Sequence, residues 1–216
     1  QAKTVEGVVA QWFADWTPNL STELRLNQRN YDSVPLNASR LPAMAFDFSG
    51  TVPTGVATGE RTLWVGTERS RHFNELRTDA IDGYLGATWT LGKHELKFGA
   101  DFIKTKIFNA FLQDTNGQYK FQCESGYTYT FGSINCATAS TAQIEAAVLE
   151  NFQRGRASAY QAQLPLPGKT QADGVARWNL NNLGLFLQDT WRVDSKLTLT
   201  AGLRVDETGM PDTPLA

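Results

Sequence analysis

No stretch of about 18 consecutive apolar residues occurs in the chain, so it holds no candidate transmembrane helix. A strand that crosses a membrane leaves no such trace, because every second residue can be polar. Lysine and arginine nowhere cluster as they do along a phosphate backbone, and the formal net charge is only −2, which counts against a nucleic-acid partner. Glycine-rich phosphate loops, nucleophile elbows and zinc-type spacings are missing too. Histidine is represented only by His72 and His94, neither at ligand spacing from Cys123 or Cys136, so no metal site and no cofactor is expected. Acid–base pairs can be drawn between Glu68 and His72 or between Asp79 and Asp82. Such spacings are far commoner among surface or lumen charges than in catalytic dyads, so no catalytic residue and no enzyme is inferred. The chain opens without Met, a basic segment or an apolar one, so any signal peptide is expected to have gone already. Residues Pro211 to Ala216 follow directly on a strong strand, and both ends look cut from something longer.

What the chain does have is alternation. From Leu197 to Asp206, Leu197, Leu199, Ala201, Leu203 and Val205 take one face of a strand, and Thr198, Thr200, Gly202, Arg204 and Asp206 take the other, because side chains alternate with period 2. Leu183 to Val193 reads as its partner strand across the polar turn Asp194-Ser195-Lys196. The layout recurs around Trp89, where Gly92-Lys93 turns the chain and Leu96, Phe98, Ala100 and Phe102 alternate with Glu95, Lys97 and Asp101. A weaker copy follows Trp16: a turn at Thr17-Pro18-Asn19, then Leu20, Leu24 and Leu26 against Ser21, Glu23 and Arg25. A repeated supersecondary unit of this kind outranks any local signal. Each copy sets a Trp (Trp16, Trp89, Trp191) just before a short turn.

Taken in order, residues 3–16 and 20–31 read as two strands, 81–91 and 94–108 as two more, and 179–193 and 196–206 as a third pair. Residues 32–60 read as a long loop with a short strand near Ala45 to Phe48; Thr62 to Gly66 restarts extended structure. Residues 111–178 form a second long loop, holding the aromatic patch Tyr119, Phe121, Tyr127, Tyr129 and Phe131. Its one helix-like stretch is Thr141 to Arg154, with Ile144, Ala147, Val148 and Leu149 on one face and Glu145 and Glu150 opposite. Cys123 and Cys136 lie in this loop at a spacing that suits a disulfide and an oxidising compartment, with two unpaired thiols as the alternative.

Turns are short after each of the three Trp residues and connections are long at the other strand ends, the asymmetry of outer-membrane barrels with periplasmic turns and extracellular loops. The strands are also long enough for a tilted crossing, which needs about 9–11 residues. The expected fold class is therefore all-β: about six long antiparallel strands of a transmembrane β-barrel, with the three Trp residues as an aromatic girdle. The alternation then turns Glu23, Arg25, Glu95, Lys97, Asp101 and Arg204 toward the lumen, since a cation at the lipid midplane costs about 2–4 kcal/mol. Asp189 is the exception, sharing the face of Leu185, Leu187 and Trp191.

Three stretches carry a family likeness: Leu96-Lys97-Phe98-Gly99-Ala100-Asp101 after Gly92-Lys93-His94; Leu185-Phe186-Leu187-Gln188-Asp189-Thr190-Trp191 leading into Leu197 to Arg204; and Asn74-Glu75-Leu76-Arg77-Thr78-Asp79 before the Gly-Lys-His hairpin. Together, over about a third of the chain, they resemble TonB-dependent outer-membrane receptors, most nearly the Oar-like group. The resemblance implies a barrel of about 22 strands closed by a plug, of which residues 1–216 would be an internal part. It also implies a periplasmic TonB-type energy transducer, met through a segment outside this chain, and a place in the Gram-negative outer membrane among its lipids. The function implied is energy-driven uptake of a scarce ligand such as a metal chelate (a siderophore complex), a saccharide or a peptide; no ligand-binding residue is assigned. Two other readings stay open: a structural or adhesive surface barrel that transports nothing, and a soluble secreted carbohydrate-binding β-domain.

Overall fold

The computed structural model describes residues 2–37, 40–49 and 61–212. Parts of the expected 32–60 loop therefore lie outside the described residues. In chain order the strands are β1 (Ala2–Thr17), β2 (Leu20–Val34), β3 (Ala43–Asp47), β4 (Thr62–Gly66), β5 (Phe73–Leu91), β6 (His94–Leu112), β7 (Gln118–Gln122), β8 (Thr128–Tyr129) and β9 (Gly132–Ser133). The helix α1 (Thr141–Gln153), β10 (Ala159–Gln161), β11 (Ala176–Arg192) and β12 (Thr198–Gly209) complete it. Among the described residues no helix is long and apolar enough to cross a membrane. The chain divides into two compact units.

The first unit, residues 1–34, 75–110 and 175–216, is a six-stranded antiparallel sheet in the order β1-β2-β5-β6-β11-β12. Its strands run from 12 residues in β12 to 19 in β5 and β6, against about five or six in soluble proteins. The three expected hairpins close as their turn chemistry dictates. Pro18, which has no N–H to offer a ladder, sits in the β1–β2 turn. Gly92 turns β5 into β6 at φ +58°, a left-handed conformation that a side chain would strain. Between β11 and β12 the Asp194 carboxylate accepts the N–H groups of Lys196 and Leu197 at 2.7 and 2.9 Å, fixing the bend through a side chain rather than a glycine.

The second unit, residues 35–74 and 111–174, is built from the two long connections. Its four-stranded sheet runs β10-β7-β3-β4, with β3 and β7 parallel and the outer pairs antiparallel. The short strand expected near residue 45 is therefore real, and Thr62 to Gly66 is its antiparallel partner. Phe46, Phe121, Ala139, Ile144 and Val148 form the buried core, and the Phe152 ring meets Phe46 and Phe121 edge-on at 5.0 and 5.3 Å. The helix α1 starts at a capping box: Ser140 accepts the Gln143 N–H, and the Gln143 side chain accepts the Ser140 N–H. Cys123 and Cys136 are joined in a disulfide, packed against this core.

One face assignment in α1 needs correction. Ile144, Ala147 and Val148 are buried as expected, but Leu149 is half exposed, while Glu150 and Asn151 are buried. Polar partners explain the exchange. The Glu150 carboxylate accepts both the N–H and the hydroxyl of Thr130, at 2.9 and 2.7 Å, and Asn151 Nδ2 donates to the Gln122 carbonyl at 2.9 Å. Hydrogen-bond partners of this kind are what let a polar side chain stand in a buried position.

Candidate functional site

In the first unit the register places residues opposite one another on a common face. Leu24 and Leu26 of β2 face Trp12 and Ala10 of β1, and Leu85 and Gly83 of β5. Phe98, Ala100 and Phe102 of β6 face Leu187, Leu185 and Leu183 of β11; Leu185 and Leu187 in turn face Val205 and Leu203 of β12. Apart from the half-buried Leu24, these large side chains stand exposed, Leu203 at 71% and Leu185 at 54%. The exposed apolar positions of β5, from Ile81 to Leu91, cover about 34 Å of strand, or about 26 Å at a barrel strand's tilt, the height of an outer-membrane apolar band.

The opposite face is ionic. Arg25 bonds Glu23 at 2.5 Å and lies 4.8 Å over the Tyr84 ring, which stacks 6.0 Å from Phe186. Arg204 grips both oxygens of Asp101, at 2.8 and 3.0 Å, and also binds Asp206. Lys97 opposes Gln188 and Glu95 opposes Thr190. All six charged residues expected to share a face do share one. Phe186 lies flat over Gly99, where a Cβ would collide with its ring and with the Leu85 carbonyl; glycine here is what lets neighbouring strands and an overlying ring approach.

Trp16, Trp89 and Trp191 all lie at the hairpin end of the apolar face. Trp16 Nε1 donates to Thr22 at 2.9 Å, and Trp12 packs edge-on against it. Trp89 opposes Leu20 and Trp191 opposes Leu199. The register through Asp189 is unbroken toward both Leu96 and Ala201, so no bulge turns its carboxylate away. Instead Asp189 Oδ2 lies 2.8 Å from His94 Nδ1, and the imidazole stacks on Trp191 at 5.5 Å. That pairing was not legible, because a contact between residues 95 apart leaves no local signal.

Neither drawn acid–base pair survives as a unit. Glu68 binds the Ser70 N–H and hydroxyl, whereas His72 presents Nε2 to the Thr67 carbonyl and accepts the Asn116 N–H on Nδ1. Asp79 opposes Asn30, and Asp82 binds Asn27 on the other face of β5. Among the described residues no cluster of three His, Cys, Asp or Glu is placed to hold a metal ion. The aromatic patch of residues 119–131 largely packs on its own unit, Phe121 and Tyr129 being buried.

The second unit gathers three chain segments around Asp114. Its buried carboxylate binds Arg69 Nη2 at 2.7 Å and Gln161 Nε2 at 2.9 Å. Nothing local points to this junction, since residues 69, 114 and 161 carry no common motif.

No curated protein and no solved structure matches the chain. A family model described as outer membrane beta barrel domain matches residues 1–213. A soluble secreted domain is thereby set aside: with its long two-faced antiparallel sheet, the chain belongs to the outer membrane beta barrel domain family, and its place is the outer membrane.

Proposed function

We propose that this barrel belongs to a receptor that takes up a scarce ligand with energy drawn from the inner membrane. The observation that carries the reading is the division of labour in the sheet: an exposed apolar face backed by an ion-paired polar face, with both long connections leaving from the ends opposite the Trp hairpins. The apolar face meets lipid, Trp16, Trp89 and Trp191 form the periplasmic girdle, and Glu23, Arg25, Glu95, Lys97, Asp101 and Arg204 line the lumen. The second unit is then extracellular and captures ligand. Strands β1 and β12 each have one neighbour among the described residues; hydrocarbon does not tolerate a free strand edge, so further strands pair with both. A plug and a TonB-type energy transducer, expected from the resemblance, complete the machine.

The test is uptake in the native host. Deleting the parent gene should lower accumulation of one labelled ligand class (metal chelate, saccharide or peptide), and a protonophore should lower it equally in the wild type. Undiminished, protonophore-insensitive uptake of every class, with the protein present in the outer membrane, would leave a non-transporting surface barrel as the function.

A further inference from the structure

We infer that the apolar face carries, at its loop-side border, a binding strip for a membrane lipid whose phosphate leaves it net anionic, centred on Lys104 and Lys106. On β6 this face runs Leu96, Phe98, Ala100, Phe102, and then changes abruptly to Lys104 and Lys106. On β11 it changes at the same level, from Leu183 to Asn181, which opposes Lys104, and Asn179, which opposes Lys106. Both lysines are exposed, and neither makes a hydrogen bond or an ion pair among the described residues. On the polar side Arg25 and Arg204 are engaged by carboxylates; what sets Lys104 and Lys106 apart is their place on the apolar face, in line with Phe98 and Phe102.

A shallow groove of about 430 Å³ straddles the border, with Phe102 and Leu183 at its apolar end, Lys104 and Asn181 at its polar end, and Glu207, opposite Leu183, on its β12 side. Arg177, one step beyond Lys106 on the neighbouring strand, lies 4.9 Å over the Phe108 ring and adds a third cation to the strip. Carboxylates bound it: Asp79 on β5, Glu207 on β12, and Asp212, which holds the N–H of Asn179. The anion is thereby confined to the seam between β6 and β11. An acyl chain along Phe102 and Leu183, with a phosphate against Lys104 in the groove and Lys106 two residues beyond it, uses both the apolar and the cationic part of the border; a free anion uses only the second. Each lysine near such a surface strengthens attraction to an anionic lipid about fivefold.

The inference rests on the apolar face meeting lipid. The test takes the parent protein, purified and delipidated in nonionic detergent, and titrates it by native mass spectrometry with phosphatidylglycerol or phosphatidylcholine of identical acyl chains. Wild type should retain phosphatidylglycerol at least tenfold better, and Lys104→Gln with Lys106→Gln should erase that preference, whereas Lys196→Gln in the β11–β12 turn should leave it. If the double variant does not fold, Lys106→Gln alone should cost about fivefold. Equal retention of the two lipids, or a preference the lysine variants leave intact, overturns the inference. Displacement of phosphatidylglycerol by equimolar inorganic phosphate also overturns it, by showing a plain anion site. Failure to retain either lipid would instead indict the lipid-facing orientation itself.

Discussion

The two units of this chain bury and expose their apolar residues in opposite senses. In the connection-built unit, Ile144 and Val148 are almost wholly buried, Phe46 and Phe121 nearly so, and a helix covers a small sheet. In the six-stranded sheet the large apolar residues stand outward, and order resides in ion pairs and rings on the other side. One chain thus follows one rule in two solvents. Apolar area leaves water in both cases, against protein in the first and, on the proposed reading, against lipid in the second. Hydrogen bonding follows suit: the long strands satisfy most of their backbone through the ladder, while the other unit also calls on side chains such as Glu150 and Asn151.

The contrast breaks most sharply with a cavity in the watered unit. Ile144→Ala should cost that unit about 2–5 kcal/mol and raise hydrogen exchange across α1, β3 and β7, while the long strands keep their protection. Nearly as large is the converse change on the sheet. Leu187→Arg places a cation on the lipid face at a cost of about 2–4 kcal/mol; its neighbour Gln188→Arg, on the polar face, should cost little. Heat-modifiable gel migration of the two variants, with the folded band weakened only for Leu187→Arg, checks the assignment of faces; equal weakening would undo it. Third comes the disulfide. Opening Cys123–Cys136, 13 residues apart, should remove about 3 kcal/mol by the chain-entropy account. Limited proteolysis after reduction should cut between residues 123 and 140 and spare the strands.

How far the sequence was readable divides along the same line. Period-2 alternation made the six long strands, their three hairpins and the shared face of Glu23, Arg25, Glu95, Lys97, Asp101 and Arg204 legible, because each strand declares its own faces. The helix at Thr141 was legible from its 3.6-residue period. What stayed hidden was assembly at a distance: β3 pairing in parallel with β7 across some 75 residues, Asp114 joining Arg69 and Gln161, and His94 answering Asp189. Those contacts arise only once both long connections have folded together or two hairpins have aligned. Glu150 was misplaced for a related reason, since its burial depends on Thr130, a residue outside the helix.

The smallest effect expected is a dependence on pH in the connection-built unit. Hydrogen bonds from the Thr130 N–H hold the Glu150 carboxyl below its ordinary range, with the Thr130 hydroxyl, Arg154 and Arg156 assisting against the opposing effect of burial. For Asp47 burial pushes upward, but donors from Lys120 and Ser49 outweigh it, and its carboxyl too lies low. A carboxyl whose folded pKa is depressed binds protons more readily in the unfolded chain. Its stabilisation is therefore complete above the unfolded value, near 4.5 for Glu150, and is lost as pH falls through the folded one. Exchange protection of α1 and β7 should accordingly hold constant from neutrality to about pH 5 and decline below it. Glu150→Gln, which keeps the shape and removes the titration, should flatten that decline and lower protection at neutral pH. A decline that Glu150→Gln leaves as steep as in the wild type would mean that acid acts elsewhere than on this carboxylate.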